Sequence, residues 1–243
     1  MLLSASTLGC GSADARSAPS GEINVFAAAS LGSAFAELAA AFESEHADTA
    51  VVLNVAASSE LVAQIAEGAP ADVFASADEV TMERLVDGIG TVGRPEVFAT
   101  NVLQIVVEAG NPLGISDLTD LADPAVLVVA AAPEVPIGRY TQQVLDAAGV
   151  DVVPRSFERN VSGVVGKVLL GEADAGIVYA TDVIAAGDRA EGVEIPADQN
   201  VVARYPIAVP SAASDVVTAR WFVEFVGSDA GRTILASYGF TDP

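Results

Sequence analysis

The chain has 243 residues, of which 51% are hydrophobic, and its formal net charge is −22. This length and composition indicate a globular protein of one large or two modest domains. The negative charge argues against nucleic acid and anionic membrane surfaces as partners. The single cysteine excludes an internal disulfide and a cysteine-based metal site, and the single histidine leaves little material for histidine-dependent catalysis.

The first 21 residues resemble the end of a bacterial lipoprotein signal. A short apolar run leads to Gly9 and Cys10, and a stretch rich in Gly, Ser, Ala and Pro follows. In such signals the cysteine becomes the lipid-bearing first residue of the mature protein. Residues 1–21 are therefore predicted to be a signal remnant and tether, with lipidation at Cys10. The alternative is a disordered tail with an incidental cysteine.

Strand-like runs alternate with helical patterns along the rest of the chain. Strands are predicted at 22–27, 50–56, 72–75, 102–108, 126–131, 175–179 and 201–209. Helices are predicted at 31–45, 59–67, 78–87, 139–148, 161–171, 180–186, 213–227 and 229–237. A turn-rich segment, 87–101, divides the first units from the next group. The order predicts an α/β protein with two lobes, each a mainly parallel sheet flanked by helices.

Small or polar residues recur where a predicted strand ends and a helix begins. Ser30 and Ser58 each follow alanines at the end of a strand, and Ile137 precedes a helix between a proline and a glycine. Asn160 is placed to cap a helix that begins near Val161. At a single junction such as Ser30, a helix cap is an ordinary explanation. Several helix starts that converge at strand ends predict an anion site made of N–H groups and helix dipoles.

Residue patterns that support catalysis are missing from the sequence. His46 lies in the polar stretch ESEHADTA and is predicted to be a solvated helix end, so no Ser-His-Asp triad is expected. Gly88, Gly90 and Gly93 form G-x-G-x-x-G, but they follow a helix, whereas the dinucleotide fingerprint follows a strand. The sequence therefore favours a binding protein over an enzyme.

Six blocks of the sequence, taken in order, resemble the molybdate-binding proteins of bacterial ABC importers. They are INVFAAASL (23–31), GAPADVFASAD (68–78), PEVPIGRY (133–140), RNVSG (159–163), GIVYATD (176–182) and SYGFT (237–241). The resemblance extends over about residues 22–243. It implies the two-lobed fold of type II periplasmic binding proteins, with two crossing strands as the hinge. Lobe 1 would comprise residues 22–102 and 205–243, and lobe 2 residues 103–204.

The resemblance also implies the binding residues, which are Ser30, Ser58, Ile137, Val161 and Tyr179. The two serines would give hydroxyl and backbone donors, Ile137 and Val161 backbone N–H groups, and Tyr179 its hydroxyl. The family usually has alanine at position 137, a change that a backbone donor tolerates. Whether Arg159 touches the anion stays open. Because no donor titrates below the tyrosine pKa of about 10, affinity is expected to be nearly flat from roughly pH 6.5 to 8.5.

The expected function is capture of molybdate, with tungstate also accepted, outside the cell membrane and delivery to the permease of an ABC transporter. Molybdenum enters the site only as the oxyanion, and no cofactor, nucleic acid partner or catalysed reaction is expected. The protein is expected to be a monomer that contacts the membrane only through a lipid at Cys10. The alternatives are a binding protein for another tetrahedral oxyanion such as sulfate, or an enzyme or sensory module on the same fold.

Overall fold

A computed structural model describes residues 18–243 of the chain. Cys10 and most of the predicted tether therefore lie outside the described residues. Within residues 18–243, no helix has both the length and the apolar character needed to cross a membrane.

Nine strands and eight α-helices make up the described part of the chain. The strands are β1 (Gly21–Ala28), β2 (Thr49–Ala56), β3 (Val73–Ala75), β4 (Glu96–Glu108), β5 (Val128–Ala131), β6 (Ser156–Glu158), β7 (Ala175–Tyr179), β8 (Ala190–Glu194) and β9 (Val202–Ala208). The helices are α1 (Gly32–Glu45), α2 (Ser58–Ala66), α3 (Glu79–Gly88), α4 (Pro136–Ala148), α5 (Val161–Leu169), α6 (Ala180–Ala186), α7 (Val216–Val226) and α8 (Asp229–Ser237). A short 3₁₀ turn, Ala29–Leu31, joins β1 to α1.

The strands form one mixed sheet in the order β2-β1-β3-β9-β4-β7-β5-β6, with β8 paired to β4. Strand β1 is parallel to β2 and β3, and β5 is parallel to β6 and β7. Strand β4 connects the two groups, because residues 96–102 pair with β9 and residues 103–107 pair with β7. We call β1, β2, β3 and β9 with helices α1, α2, α3, α7 and α8 the first half, and β5 to β8 with helices α4 to α6 the second half.

The predicted α/β two-lobed fold class is confirmed, and three details differ from the prediction. Every antiparallel pair involves β4 or β9, so the sheet is parallel only away from these strands. Strand β4 begins at Glu96, inside the segment predicted to be turn-rich. Strands β6 and β8 were not predicted, because they are short and carry polar, partly exposed side chains. The predicted lobe boundaries stay a prediction.

The core of the first half is an aromatic cluster beneath α1 and α7. Phe42 and Phe222 are fully buried, with ring centroids 5.3 Å apart in an edge-to-face arrangement. Each such side chain contributes about 1.5–3 kcal/mol through its burial. His46 ends α1 and packs on this cluster, with its ring 4.7 Å from Phe42 and 5.7 Å from Trp221. His46 is thus a helix end as predicted, but its ring is only partly exposed because it covers the edge of the core.

Candidate functional site

A cavity of about 20 Å³ lies between the first and second halves, and all five predicted site residues line it. Its lining consists of Ala28, Ala29, Ser30, Ala57, Ser58, Ala77, Val135, Pro136, Ile137, Asn160, Val161 and Tyr179. Pockets for drug-sized ligands usually measure roughly 300–1,000 Å³, so this one suits a smaller ligand. No charged side chain belongs to this lining. Any ligand is therefore held by neutral groups.

Three helices begin at the cavity wall. Ser58 is the first residue of α2, Val161 is the first of α5, and Ile137 is the second of α4. Backbone N–H groups in the first turn of a helix have no intrahelical carbonyl to bond, and they carry the positive end of the helix dipole. The start of α5 is fixed as predicted, since the Asn160 side chain accepts a hydrogen bond from Gly163 N at 3.0 Å. The cavity is therefore surrounded by groups that attract an anion.

Gly138 explains how the start of α4 comes so close to the sheet. A Cβ atom at this position would lie 2.0 Å from the carbonyl oxygen of Ala132 and 3.0 Å from that of Ala131. Both neighbours are backbone atoms just beyond and at the end of β5, so neither can swing aside. Only glycine permits this approach, and it sets the position of the adjacent Ile137.

The hydroxyls of Ser30 and Ser58 bond to the protein and cap no helix. Ser58 Oγ accepts a hydrogen bond from Ala77 N at 3.0 Å. Ser30 Oγ lies 3.2 Å from the hydroxyl oxygen of Tyr205. The 3₁₀ turn that holds Ser30, α1 and α2 all begin without a side-chain cap. The cap explanation for Ser30 is therefore wrong. Because Ser58 Oγ already accepts a bond, its own proton is free to donate into the cavity.

Tyr179 brings a buried hydroxyl to the same cavity. The side chain is 1% exposed, and its oxygen has no hydrogen-bond partner among the described residues. Leaving a buried hydroxyl without a partner costs about 1–3 kcal/mol. Burial raises the pKa of Tyr179 well above its ordinary value, so the group stays a protonated donor. Such a donor suits an acceptor oxygen supplied by a ligand.

An ion pair connects the two halves beside the cavity. Arg139 of α4 donates from Nε to Asp78 Oδ2 at 2.8 Å, and its Nη2 donates to Thr81 Oγ1 at 2.7 Å. Asp78 is 3% exposed and also caps α3. Ala77, the residue before Asp78, and Ile137, two residues before Arg139, both line the cavity. Both ion-pair partners lie within blocks that carry the family resemblance, but the sequence indicated no role for them.

Two further charged residues differ in their relation to the cavity. Arg159 is exposed and is not part of the lining. Asp182 accepts a hydrogen bond from Tyr179 N at 3.1 Å and so lies directly behind a lining residue. Burial raises the pKa of Asp182 to about 7. Sequence reasoning missed Asp182, because an acidic residue in the first turn of a helix is ordinarily explained by the helix dipole.

The chemistry of the lining is that of an anion site. Nothing in residues 18–243 groups three or more His, Cys, Asp or Glu side chains in a way that could hold a metal cation. Hydroxyl protons and helix starts are instead the groups that bind oxyanions. The arrangement offers donors from both halves to one small ligand.

Comparison with known proteins identifies the class. The model of the bacterial extracellular solute-binding protein family matches residues 23–241, and the chain belongs to this family. This membership confirms the prediction of a binding protein rather than an enzyme.

Three individual proteins are also similar to this chain. The molybdate-binding protein ModA of Mycobacterium tuberculosis (strain H37Rv) is 41% identical over 248 residues, which cover 100% of this chain and 95% of that protein. The solved periplasmic molybdate-binding protein of Azotobacter vinelandii has a TM-score of 0.79 at 24% identity, covering 91% of this chain and 99% of that one. The solved sulfate-binding protein SubI of M. tuberculosis H37Rv has a TM-score of 0.82 at 21% identity, covering 91% of this chain and 87% of that one. At these identities the two structures show the fold alone.

Proposed function

We propose that this protein captures molybdate in the cavity between its two halves and delivers it to the permease of an ABC transporter. The 41% identity to a molybdate-binding protein over the whole chain supports this ligand. The observation that carries the proposal is the lining itself, in which hydroxyl donors and helix starts surround a small cavity without any charged side chain. A tetrahedral oxyanion presents only acceptor oxygens, and this lining presents donors to it.

The proposed binding residues divide between the two sides of the cavity. Ser30 and Ser58 bind the anion from the first half through hydroxyl and backbone donors. Ile137 and Val161 bind it through backbone N–H groups, and Tyr179 through its hydroxyl. Each charge-assisted hydrogen bond contributes about 1.5–3 kcal/mol. Several of them together support submicromolar binding after the costs of desolvation and ordering are subtracted.

Closure of two lobes is part of the proposal. Lobe 1 comprises residues 22–102 and 205–243, and lobe 2 comprises residues 103–204. The switch of β4 from pairing with β9 to pairing with β7 at residues 102–103 supports a hinge at this point. The protein acts as a monomer outside the cell membrane, held there by a lipid on Cys10.

Size is the proposed basis of selectivity. Molybdate, tungstate and sulfate are all tetrahedral dianions, but sulfur–oxygen bonds are shorter than metal–oxygen bonds. Donors fixed at helix starts cannot move inward around the smaller sulfate ion. The hydrogen bonds to sulfate therefore lengthen past the preferred range of about 2.7–3.2 Å. Molybdate and tungstate should therefore bind within about tenfold of each other, and sulfate at least about a hundredfold more weakly.

Calorimetric titration of the purified protein with molybdate, tungstate, sulfate and phosphate tests this function. Tight binding of molybdate and tungstate with weak binding of the other two ions is the expected result. Phosphate serves as a second comparison, because it carries a proton near neutral pH for which this lining offers no carboxylate acceptor. Sulfate that binds as tightly as molybdate would contradict the proposal and favour the sulfate alternative.

A further inference from the structure

We propose that Tyr205, which lies outside the cavity, is a positioning residue for the oxyanion. It acts by holding the Ser30 hydroxyl so that the serine proton is directed into the cavity, and Asn101 fixes the direction of this hydrogen bond. The inference rests on the proposed function and assigns a role to Tyr205 of β9 and Asn101 of β4.

Tyr205 is held rigidly behind the cavity. Its side chain is fully buried in β9, and its ring makes edge-to-face contacts with Tyr179 at 5.7 Å and Phe240 at 5.3 Å between ring centroids. It is not part of the cavity lining, whereas Ser30 is. The 3.2 Å separation of Tyr205 Oη and Ser30 Oγ therefore joins a fixed group to a group at the cavity wall.

The Asn101 side chain has only one orientation that satisfies its neighbours. Val102 N lies 2.9 Å from Asn101 Oδ1, and a backbone N–H can only donate, so this amide atom is the acceptor oxygen. The other amide atom is therefore the NH₂ group. It donates to Thr181 Oγ1 at 2.9 Å and to Tyr205 Oη at 3.5 Å. An NH₂ group has no acceptor capacity, so the bond to Tyr205 runs in one direction.

The buried Tyr205 proton needs an acceptor, and the Asn101 NH₂ group cannot be one. Ser30 Oγ is the other hydrogen-bond partner of Tyr205 in residues 18–243, so Tyr205 accepts from Asn101 and donates to Ser30 Oγ. Burial raises the pKa of Tyr205, so the phenol keeps the proton that it donates. Ser30 Oγ accepts this bond and keeps its own proton for the cavity. Hydrogen bonds in such a chain polarise one another, which strengthens the last donor.

The reverse orientation would oppose binding. A Ser30 hydroxyl that donated to Tyr205 would present only lone pairs to the oxygens of a dianion. Fixing the hydroxyl in advance also removes the entropy cost of ordering it when the ligand binds. The chain of bonds extends from Ser30 in the first half to Thr181 of α6 in the second half, so both halves set this donor.

The test is a double-mutant cycle on molybdate affinity, measured by calorimetry. Tyr205→Phe keeps the ring packing and should weaken binding about tenfold. In the Ser30→Ala background the same change should alter affinity by less than about twofold, because Tyr205 acts through the missing hydroxyl. The matched control is Tyr238→Phe, which removes an exposed hydroxyl that bonds to Glu37 at 2.9 Å and should leave affinity unchanged.

Each outcome separates this inference from the proposed function. Wild-type protein that binds molybdate while Tyr205→Phe binds equally well would overturn the positioning role and leave the function intact. An equal loss from Tyr205→Phe in both backgrounds would also overturn it, because a merely structural residue behaves in that way. Wild-type protein that fails to bind molybdate would overturn the proposed function, and this inference with it.

Discussion

The two walls of the cavity are built from different kinds of donor. The first wall comprises Ser30 and Ser58, whose hydroxyl oxygens already bond to Tyr205 and to Ala77 N. The second wall comprises Ile137, Val161 and Tyr179, and in it the only side-chain hydroxyl, that of Tyr179, has no partner in the described part of the chain. The hydroxyl oxygens of the first wall thus accept bonds before any ligand arrives and keep their protons for the cavity, whereas the Tyr179 hydroxyl has no protein partner among the described residues.

We expect this difference to set the order in which the two walls engage a ligand. Donors that are held by the protein can meet an anion without further ordering, so the first wall is suited to initial capture. The buried Tyr179 hydroxyl carries a desolvation cost that an acceptor oxygen relieves, so the second wall gains most from the bound ligand. We therefore expect loss of the Tyr179 hydroxyl to weaken binding without destabilising the ligand-free protein, and loss of the Ser58 hydroxyl to weaken both binding and ligand-free stability.

The largest effect should come from displacing the second wall. Gly138→Ala places a Cβ against the backbone oxygen of Ala132, which must push the start of α4 and the Ile137 N–H out of position. Molybdate affinity should fall more than about a hundredfold, together with an overpacking cost of about 1–3 kcal/mol in unfolding free energy. Calorimetry and chemical denaturation measure the two quantities.

Gly166→Ala is the matched control for this change. Gly166 lies on α5 near the same wall, but a Cβ there would meet nothing within 4 Å. Its affinity for molybdate should stay at the wild-type value. Normal binding by Gly138→Ala would show that the close approach of α4 to β5 does not position the second wall.

A smaller effect should follow from breaking the ion pair that joins the walls. Arg139→Gln leaves Asp78 buried without its cationic partner, and we expect the pair to form only when the halves are closed. Molybdate affinity should fall about tenfold through a faster dissociation rate, measured by stopped-flow or surface plasmon resonance. Arg204→Gln, which removes an exposed pair with Glu79 at 3.4 Å, should change affinity less than about twofold. Equal effects of the two changes would show that the ion pair between Arg139 and Asp78 does not slow dissociation of the ligand.

The smallest effect concerns the pH dependence of stability. Because the pKa of Asp182 is raised from 3.8 to about 7 in the folded state, the folded protein holds this proton more tightly than the unfolded chain. The contribution of this carboxyl to stability should therefore be largest below about pH 4 and decline as the pH rises to about 7, by of order 2 kcal/mol. Asp182→Asn should remove this decline, and denaturation at about pH 4.5 and about pH 8.5 measures it. Exposed Asp188→Asn should retain it.

Asp182 also changes the expected pH dependence of binding. The sequence predicted a nearly flat affinity from roughly pH 6.5 to 8.5 because none of the predicted donors titrates there. Ionised Asp182 lies behind Tyr179 and would repel a dianion, so affinity in wild type should fall by a few-fold as the pH rises through about 7. A flat profile in wild-type protein would show that this carboxyl does not sense the ligand.

Local patterns in the sequence predicted much of the fold and the helix starts at the cavity, whereas the proposed binding residues came from the family resemblance. Strand β7 and helices α6 and α8 begin and end where periodicity placed them. The helix starts at Ser58 and Val161 were recognisable, because small and capping residues mark them locally. The affinity measurements proposed above test whether these residues bind the ligand.

The parts that sequence reasoning missed depend on long-range contacts. Ser30 and Tyr205 are 175 positions apart, and Asn101 and Thr181 are 80 apart. No local spacing reveals which tyrosine stands behind which serine, since the sheet order that joins them is set by pairing across the whole chain. The ion pair of Asp78 and Arg139, 61 positions apart, was hidden for the same reason.

The most direct test of the difference between the walls is thermal unfolding of Tyr179→Phe and Ser58→Ala, with and without molybdate. Tyr179→Phe removes a buried hydroxyl that has no partner, so the ligand-free protein should be more stable than wild type and should gain less from molybdate. Ser58→Ala leaves Ala77 N without its acceptor, so the ligand-free protein should be less stable and should also bind more weakly. A ligand-free Tyr179→Phe variant that is less stable than wild type, with an unchanged gain from molybdate, would contradict the account.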